Sequence, residues 1–379
     1  MILAIEIVFW ASLAALVWTH LGYPVAVAAL ARVRPRPPRR ADILPSVTLI
    51  VPAHNEEDVI ERKLENVLAL DYPPEQLDVV VTSDASTDAT HAIVARFADR
   101  GVRLIGCERG GKVAAQDRAV RETAGEIVAF GDANVEWEPG ALRELVAPFA
   151  DPAVGMACGH VRLVNPSGGT NQEGVYWRYE MWLRARESLV HSMTGSNGAI
   201  YAVRREAYRE VDPRFGHDLS FPYLMVQNGY RAVYEPRAHA TENMTTDIED
   251  EFRRKVRMFE HAWLMLFRGR MFRLRVGPVY WVELVSHRLL RYWSGPLHVL
   301  LLASSALLAG HGTVYAVALG VQLAGLALVG VSMLARGRIR VLRVLHYYLL
   351  VTLATVIALG GYLRHGVPAT WDKAAGTRL

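Results

Sequence analysis

Three long stretches of this chain contain no Asp, Glu, Lys or Arg: residues 7–31, 295–335 and 344–363. About 20 apolar residues cross a bilayer as a helix, so each stretch can span, and the second is long enough to span twice. Gly310, His311, Gly312 and Thr313 interrupt that second stretch and mark a tight turn between two spans. The first stretch carries Trp10, Trp18 and Tyr23, residues suited to a membrane–water interface. A cleaved signal peptide, cut after Ala29, Leu30 and Ala31, is the alternative. It would need a shorter apolar run with its basic residues in front, and here they follow.

Those basic residues form RVRPRPPRR at 32–40, which reads as an extended linker, and a second basic segment, RGRIRVLR, occupies 336–343. Four spans put the N-terminus outside and both basic segments inside, as the positive-inside rule asks. The same topology leaves Arg364, Lys373 and Arg378 outside, against that rule. Net charge is only +4 over 379 residues, with cations set beside apolar runs. This favours a membrane bilayer and no nucleic acid as partner. Cys107 and Cys158 have no metal-ligand spacing and fit a reducing compartment.

Between residue 45 and about residue 245 the pattern changes. VTLIV (47–51), LDVVV (77–81), VRLIG (102–106) and EIVAF (126–130) are short strand-like runs. Segments of helical spacing separate them, such as Val59, Ile60, Leu64, Val67 and Leu68. Alternation of buried strands with helices predicts an α/β domain with a mostly parallel sheet, whose ligands bind at the carboxyl ends of the strands.

Each strand is followed there by polar residues. PAHNEE at 52–57 offers Asn55 and Glu56, which also suit a helix cap. TSDASTDA at 82–89 offers Asp84, Ser86 and Asp88, equally suited to a turn. ERGGKVAA at 108–115 sets two glycines ahead of Lys112 and a helix start; it lacks the spacing of a Walker loop, yet suits a diphosphate. GDAN at 131–134 presents Asp132 and Asn134.

Four such segments in order resemble the family-2 glycosyltransferases, from about residue 45 to residue 257. Their Rossmann-like GT-A fold opens with a PAYNE-like turn, followed by a DxSxD segment, a glycine–lysine segment and a DxD motif. The resemblance implies that Ala53 and Glu56 flank the nucleotide base and ribose, that Asp84 bonds the base, and that Lys112 approaches the diphosphate. It implies Mg²⁺ or Mn²⁺ on Asp132 with Asn134. Asn134 departs from the strict motif, and its amide oxygen brings no charge, so metal affinity should be weaker. TGSNGAIYAVRREA at 194–207 resembles the acceptor-side segment, with Ser196, Asn197 and Gly198. GHDLSFP at 216–222 lies where the family has two adjacent acids. Asp218 aligns with the second, the catalytic base; His217 replaces the first, and reads either as a base or as a surface residue. Capping of a helix starting near Ser220 is the plainer reading of Asp218. His239 and Glu242 either line the opposite wall or are satisfied loop residues.

Downstream, where membrane polysaccharide synthases of the family carry QxxRW, this chain has Arg254, Arg257 and Met258. Arg254 and Arg257, three apart on a helix, can both face the diphosphate. The absent tryptophan removes a stacking surface and weakens the case for a processive polymerase. Residues 252–275 hold eight Lys or Arg against Glu260, with apolar residues at helical spacing. This predicts an amphipathic helix lying in the headgroup layer or one packed on the soluble domain; residues 279–293 are a second candidate.

The expected organisation is a transmembrane helix over 1–31, a basic Pro-rich linker over 32–44 and a GT-A domain over 45–245. Amphipathic interface helices over 246–293, three transmembrane helices over 294–363 and a tail over 364–379 complete it. The resemblance implies an inverting transfer from a nucleotide-sugar donor, UDP-linked by analogy, to a lipid-linked or polysaccharide acceptor. The expected location is a bacterial-type inner membrane, with the catalytic domain cytoplasmic. The rivals are a processive synthase and a non-catalytic membrane scaffold.

Overall fold

The computed structural model describes residues 1–164, 173–243, 248–334 and 340–368. Eight strands are present among them: β1 (Val47–Ala53), β2 (Leu77–Asp84), β3 (Val102–Cys107), β4 (Ile127–Phe130), β5 (Val135–Trp137), β6 (Val154–Val164), β7 (Tyr201–Arg204) and β8 (Arg231–Asn243). They form one sheet in the order β3-β2-β1-β4-β7-β6-β8-β5. The half holding β1 to β4 is parallel, with Val47 opposite both Leu77 and Ile127. β7 runs antiparallel to β4 and β6, and β5 antiparallel to β8. Every residue of β1 is buried, as a parallel strand covered on both faces requires.

The helices of the first half are α1 (Ile2–Val17), α2 (Tyr23–Val33), α3 (Ile60–Leu68), α4 (Thr90–Ala95), α5 (Lys112–Arg121), α6 (Ala141–Val146) and α7 (Glu173–Val190). Val59, Ile60, Leu64 and Val67 are buried against Leu49, Val51, Val79 and Val81, so the spacing legible around α3 is its core face. The remaining helices are α8 (His217–Gln227), α9 (Ile248–Arg268), α10 (Pro278–Glu283), α11 (Leu290–Tyr292), α12 (Ser294–Leu308), α13 (Thr313–Leu334) and α14 (Arg340–His365).

Among the described residues, three helical segments are long and apolar enough to cross a membrane: Ile2–Val33, Thr313–Val331 and Val344–His365. The fourth expected span is shorter. α12 has 15 residues, about 22 Å at 1.5 Å per residue, against about 30 Å of hydrocarbon. It continues the helical run of α10, a π-helical turn (Leu284–Leu289) and α11. The tail beyond residue 368, with Lys373 and Arg378, lies outside the described residues.

The segment from α10 to α11 inverts the usual pattern of a soluble helix. Glu283, Ser286, His287 and Arg288 are buried, while Val279, Trp281 and Val282 are exposed. Its polar face meets α7, where His287 and Arg291 bond Glu180 and His287 bonds Glu187. The first span is tied to the same place: Thr19 donates to the Ser286 carbonyl at 2.7 Å, and Tyr23 to Glu187 at 2.6 Å. α9 buries Ala262 and Trp263 among Tyr292 and Ala358, and Trp263 Nε1 donates to the Thr355 carbonyl of α14. Its inner face is thus packed on a span, while Met258 and Phe267 stay exposed.

Candidate active site

The loops after β1 and β2 hold each other. Asn55 Oδ1 accepts the Thr87 amide at 2.7 Å, and the amides of Asn55 and Glu56 donate to Ser86 and Thr90. Asn55 and Ala85 have φ of 55° and 53°, a left-handed conformation that side chains other than glycine rarely adopt. The N-cap of α3 is Val59, so neither Asn55 nor Glu56 caps it. Asp88 and Ser86 serve the turn itself, Asp88 by accepting from Thr90. Ala53 and Glu56 are both buried at the end of β1.

Asp84, fully buried at the end of β2, organises the glycine–lysine loop. Its Oδ1 accepts the Gly110 and Gly111 amides at 2.7 and 3.1 Å, and Arg109 Nη1 donates to Oδ2 at 2.8 Å. The loop so fixed starts α5 at Lys112, whose Nζ bonds Asp132 Oδ1 after β4. A Cβ on Gly198 would sit 3.1 Å from Lys112 Nζ and 3.7 Å from Asp132 Oδ2, so a glycine there leaves room for both. Lys112, Asp132 and Gly198, from three distant segments, thus meet at one point.

The turn that carries Asp132 and Asn134 is braced from below. Lys63, 1% exposed, donates to the Val135 carbonyl at 2.6 Å. Burial pushes its ammonium down to about 7 against the pull of Asp132 and Glu136. Asn134 Nδ2 lies 3.4 Å from Glu242 Oε1, which leaves the amide oxygen for another partner. Among the described residues no three His, Cys, Asp or Glu side chains cluster as a metal cage. One carboxylate with a neighbouring amide oxygen fits a hard cation that brings substrate phosphates and water as its other ligands.

Asp218 lies in the first turn of α8, whose N-cap is Gly216. It therefore does not cap a helix beginning at Ser220. A Cβ on Gly216 would lie 2.4 Å from Asp218 Oδ1, so only glycine leaves the carboxylate where it is. The Ser196 amide donates to the Asp218 carbonyl at 2.7 Å and locks this turn to the loop before β7. Asn197 closes that loop, donating to the Gly159 carbonyl and accepting from the Ala199 and Ile200 amides. Lys112, Ser196, Asn197, Gly198 and Asp218 line one cavity of about 380 Å³.

Other expected site residues are placed differently. His217 is 3% exposed, packed on Phe221 with ring centroids 3.9 Å apart, and bonded to Tyr201. It lies beneath the cavity without lining it, which makes it neither a surface residue nor a base in contact with substrate. Burial, then the Lys112 charge, lowers its pKa to about 3. Arg254 lines the cavity and bonds Glu251 at 2.9 Å, whereas Arg257 is exposed and outside the lining. Glu242 stands beside Asn134, and His239 pairs with His160 across β6 and β8.

Among the lining residues that sequence motifs missed are Glu180, Arg184 and Arg288. Glu180, Arg184 and Glu187 recur at helical spacing along α7, and this charged stripe in an aromatic helix was the signal for Glu180 and Arg184. Although burial opposes the charge, His287, Arg291 and Arg288 hold the Glu180 carboxyl well below the usual carboxylate range.

A half-parallel sheet with its polar loops gathered at the carboxyl ends of β1, β2 and β4 defines a GT-A α/β protein with apolar helices attached. The comparisons agree: residues 48–212 match the model of glycosyl transferase family 2, so the chain carries a family-2 glycosyltransferase domain. A mannosyltransferase of Pyrobaculum calidifontis, solved with GDP-Man and Mn²⁺, superposes with a TM-score of 0.73 at 25% identity, over 95% of this chain and 99% of that one. Glycosyltransferase AglE of Haloferax volcanii is 28% identical over 182 residues, 47% of this chain and 58% of its own length. A beta-monoglucosyldiacylglycerol synthase of Nostoc is 29% identical over 213 residues, 54% of this chain and 46% of its own. The chain thus spans about half the length of these curated relatives.

Proposed function

We propose that this chain is an inverting glycosyltransferase that moves one sugar from a nucleotide-sugar donor to a lipid-linked or polysaccharide acceptor at a membrane face. The observation that carries the reading is the single cavity shared by Lys112, Gly198 and Asp218, with Asp132 bonded to Lys112 at its edge. Ala53 and Glu56 flank the base and ribose, Asp84 with Arg109 faces the base, and Lys112 with Arg254 meets the diphosphate. Asp132 and Asn134 hold Mg²⁺ or Mn²⁺, which when bound stabilises charge on the departing diphosphate.

Asp218 takes the proton of the acceptor hydroxyl. The hydroxyl oxygen forms its bond to the anomeric carbon as the bond from that carbon to the diphosphate breaks on the opposite side. The electron pair leaves with the nucleoside diphosphate, and one displacement inverts the centre. Lys112 meets the charge that develops there.

The resemblance favours a uridine nucleotide, while the P. calidifontis neighbour, with GDP-Man bound, supports a guanosine nucleotide as the second reading. The lipid acceptor is favoured by the diacylglycerol named for the Nostoc relative and by the apolar helices of this chain. The basic linker at 32–40 supports an inner-membrane protein with its catalytic domain on the cytoplasmic side. A panel of nucleotide sugars, presented to the purified full chain with native lipid extract and Mn²⁺, tests the reading by nucleotide release. Release with one donor, abolished by chelator, is the expected result. A ladder of long products would instead indicate a processive synthase, and no release with any donor a scaffold.

A further inference from the structure

The cavity continues beyond Asp218 into a strongly cationic region. Besides Lys112, its walls carry Arg184 of α7, Arg254 and Lys255 of α9 and Arg288 of the π-helical turn, with Glu180 the acid among them. Arg254 and Lys255 share Glu251, at 2.9 and 3.2 Å. Glu180 is oversubscribed: Oε2 meets Arg291 at 3.0 Å and His287 at 3.2 Å, while Oε1 meets Arg288 at 3.3 Å and Arg184 only at 3.7 Å. Glu187, the other acid of this network, is already bonded by Tyr23, Thr194 and His287.

Arg184 keeps only long contacts among the described residues, 3.7 Å to Glu180, 3.8 Å from Nη1 to Cys158 Sγ and 5.9 Å to the Trp177 ring. It is 2% exposed, and its buried Nε makes no hydrogen bond among the described residues. A buried guanidinium with an open donor is costly unless an anion completes it. Its planar fork suits a phosphate or carboxylate. The lining also includes Arg214, His261 and Tyr292, and an apolar part made by Phe259, Leu219, the half-exposed Met258, and Val351 from the span Val344–His365. A ligand that satisfies both parts has an anionic head and a hydrocarbon tail.

We propose that this region binds the phosphate of an anionic lipid, held by Arg184 and Arg288, with the tail leaving past Met258 and Val351 into the bilayer. That this lipid is the acceptor, its hydroxyl presented to Asp218, rests on the transferase reading; the lipid site itself does not.

The test uses the full chain in a neutral detergent, titrated calorimetrically with short-chain dihexanoyl phosphatidylglycerol, dihexanoylglycerol, inorganic phosphate and UDP with Mn²⁺. The charged lipid should bind about tenfold or more tightly than the uncharged lipid or phosphate alone, as expected for a charge-assisted contact joined to an apolar one. Arg184→Gln should weaken it by about tenfold. Val351→Trp, on the tail's path, should weaken the lipid and leave phosphate unaffected. That variant keeps the test decisive should Arg184→Gln not fold. Equal binding of the uncharged lipid, or of phosphate alone, overturns the proposal. Displacement of the lipid by UDP overturns it too, since the cations would then belong to the donor's diphosphate. Lipid binding by a chain that binds no nucleotide would uphold the site and sink the transferase reading alone.

Discussion

Lys112 Nζ is bonded to Asp132 Oδ1, joining the first residue of α5 to the turn after β4 across 20 positions of sequence. On the proposed function, a divalent cation held by Asp132 would compete with this ammonium for the carboxylate, and the lysine would then be placed to meet the diphosphate.

Removing the ammonium therefore separates metal binding from turnover. Lys112→Met should tighten Mn²⁺ binding in the absence of donor, read by electron paramagnetic resonance. It should also lower kcat by about tenfold to a thousandfold, the range for loss of one preorganised electrostatic contact. Asp132→Ala should abolish both metal binding and turnover.

Asp218→Asn keeps the size of the side chain and removes the base. The expected result is a fall in kcat of about 10²–10⁴ with donor affinity little changed. Gly216→Ala places a methyl where Asp218 Oδ1 now lies, 2.4 Å from the added carbon, and should lower kcat about tenfold or more by displacing the carboxylate.

His217 makes stability depend on pH. The folded chain keeps the imidazole neutral down to about 3, while in the unfolded chain it titrates near 6.5. Between those values the unfolded state binds more protons, so stability falls as pH falls. This one group contributes a slope approaching about 1.4 kcal/mol per pH unit below about pH 6. His217→Gln removes the titration. Denaturant unfolding in detergent should show a smaller loss between pH 7 and pH 5 for the variant than for the parent.

Lys63 supports the turn that carries Asp132 and Asn134 from beneath. Lys63→Met leaves the Val135 carbonyl without its buried donor and should cost about 1–3 kcal/mol in the same unfolding measurement.

Much of this was legible in the sequence because it is local. Strands such as VTLIV are buried on both faces, so their apolar runs stand out, and the polar residues that follow them mark the ligand edge. What the sequence hid is contact between distant segments. Nothing near Asp84 announces that its carboxylate binds the loop holding Arg109 and Gly110. The environment of His217 comes from Phe130, Tyr201, Tyr208 and Phe221, and only the fold assembles them into a box. The polar helix face around Arg288 was hidden for a second reason. Its exposed Val279 and Val282 read as an ordinary amphipathic pattern, and the direction in which each face points is set by α7 and the spans.

The most direct test of the central claim compares nucleotide release by the full chain with that of Asp132→Ala and Asp218→Asn, with donor, Mn²⁺ and lipid extract held constant. The account predicts metal-dependent release by the parent and loss of it in both variants, with Asp218→Asn still binding donor. Undiminished release by either variant, from chains shown to be folded, would contradict it.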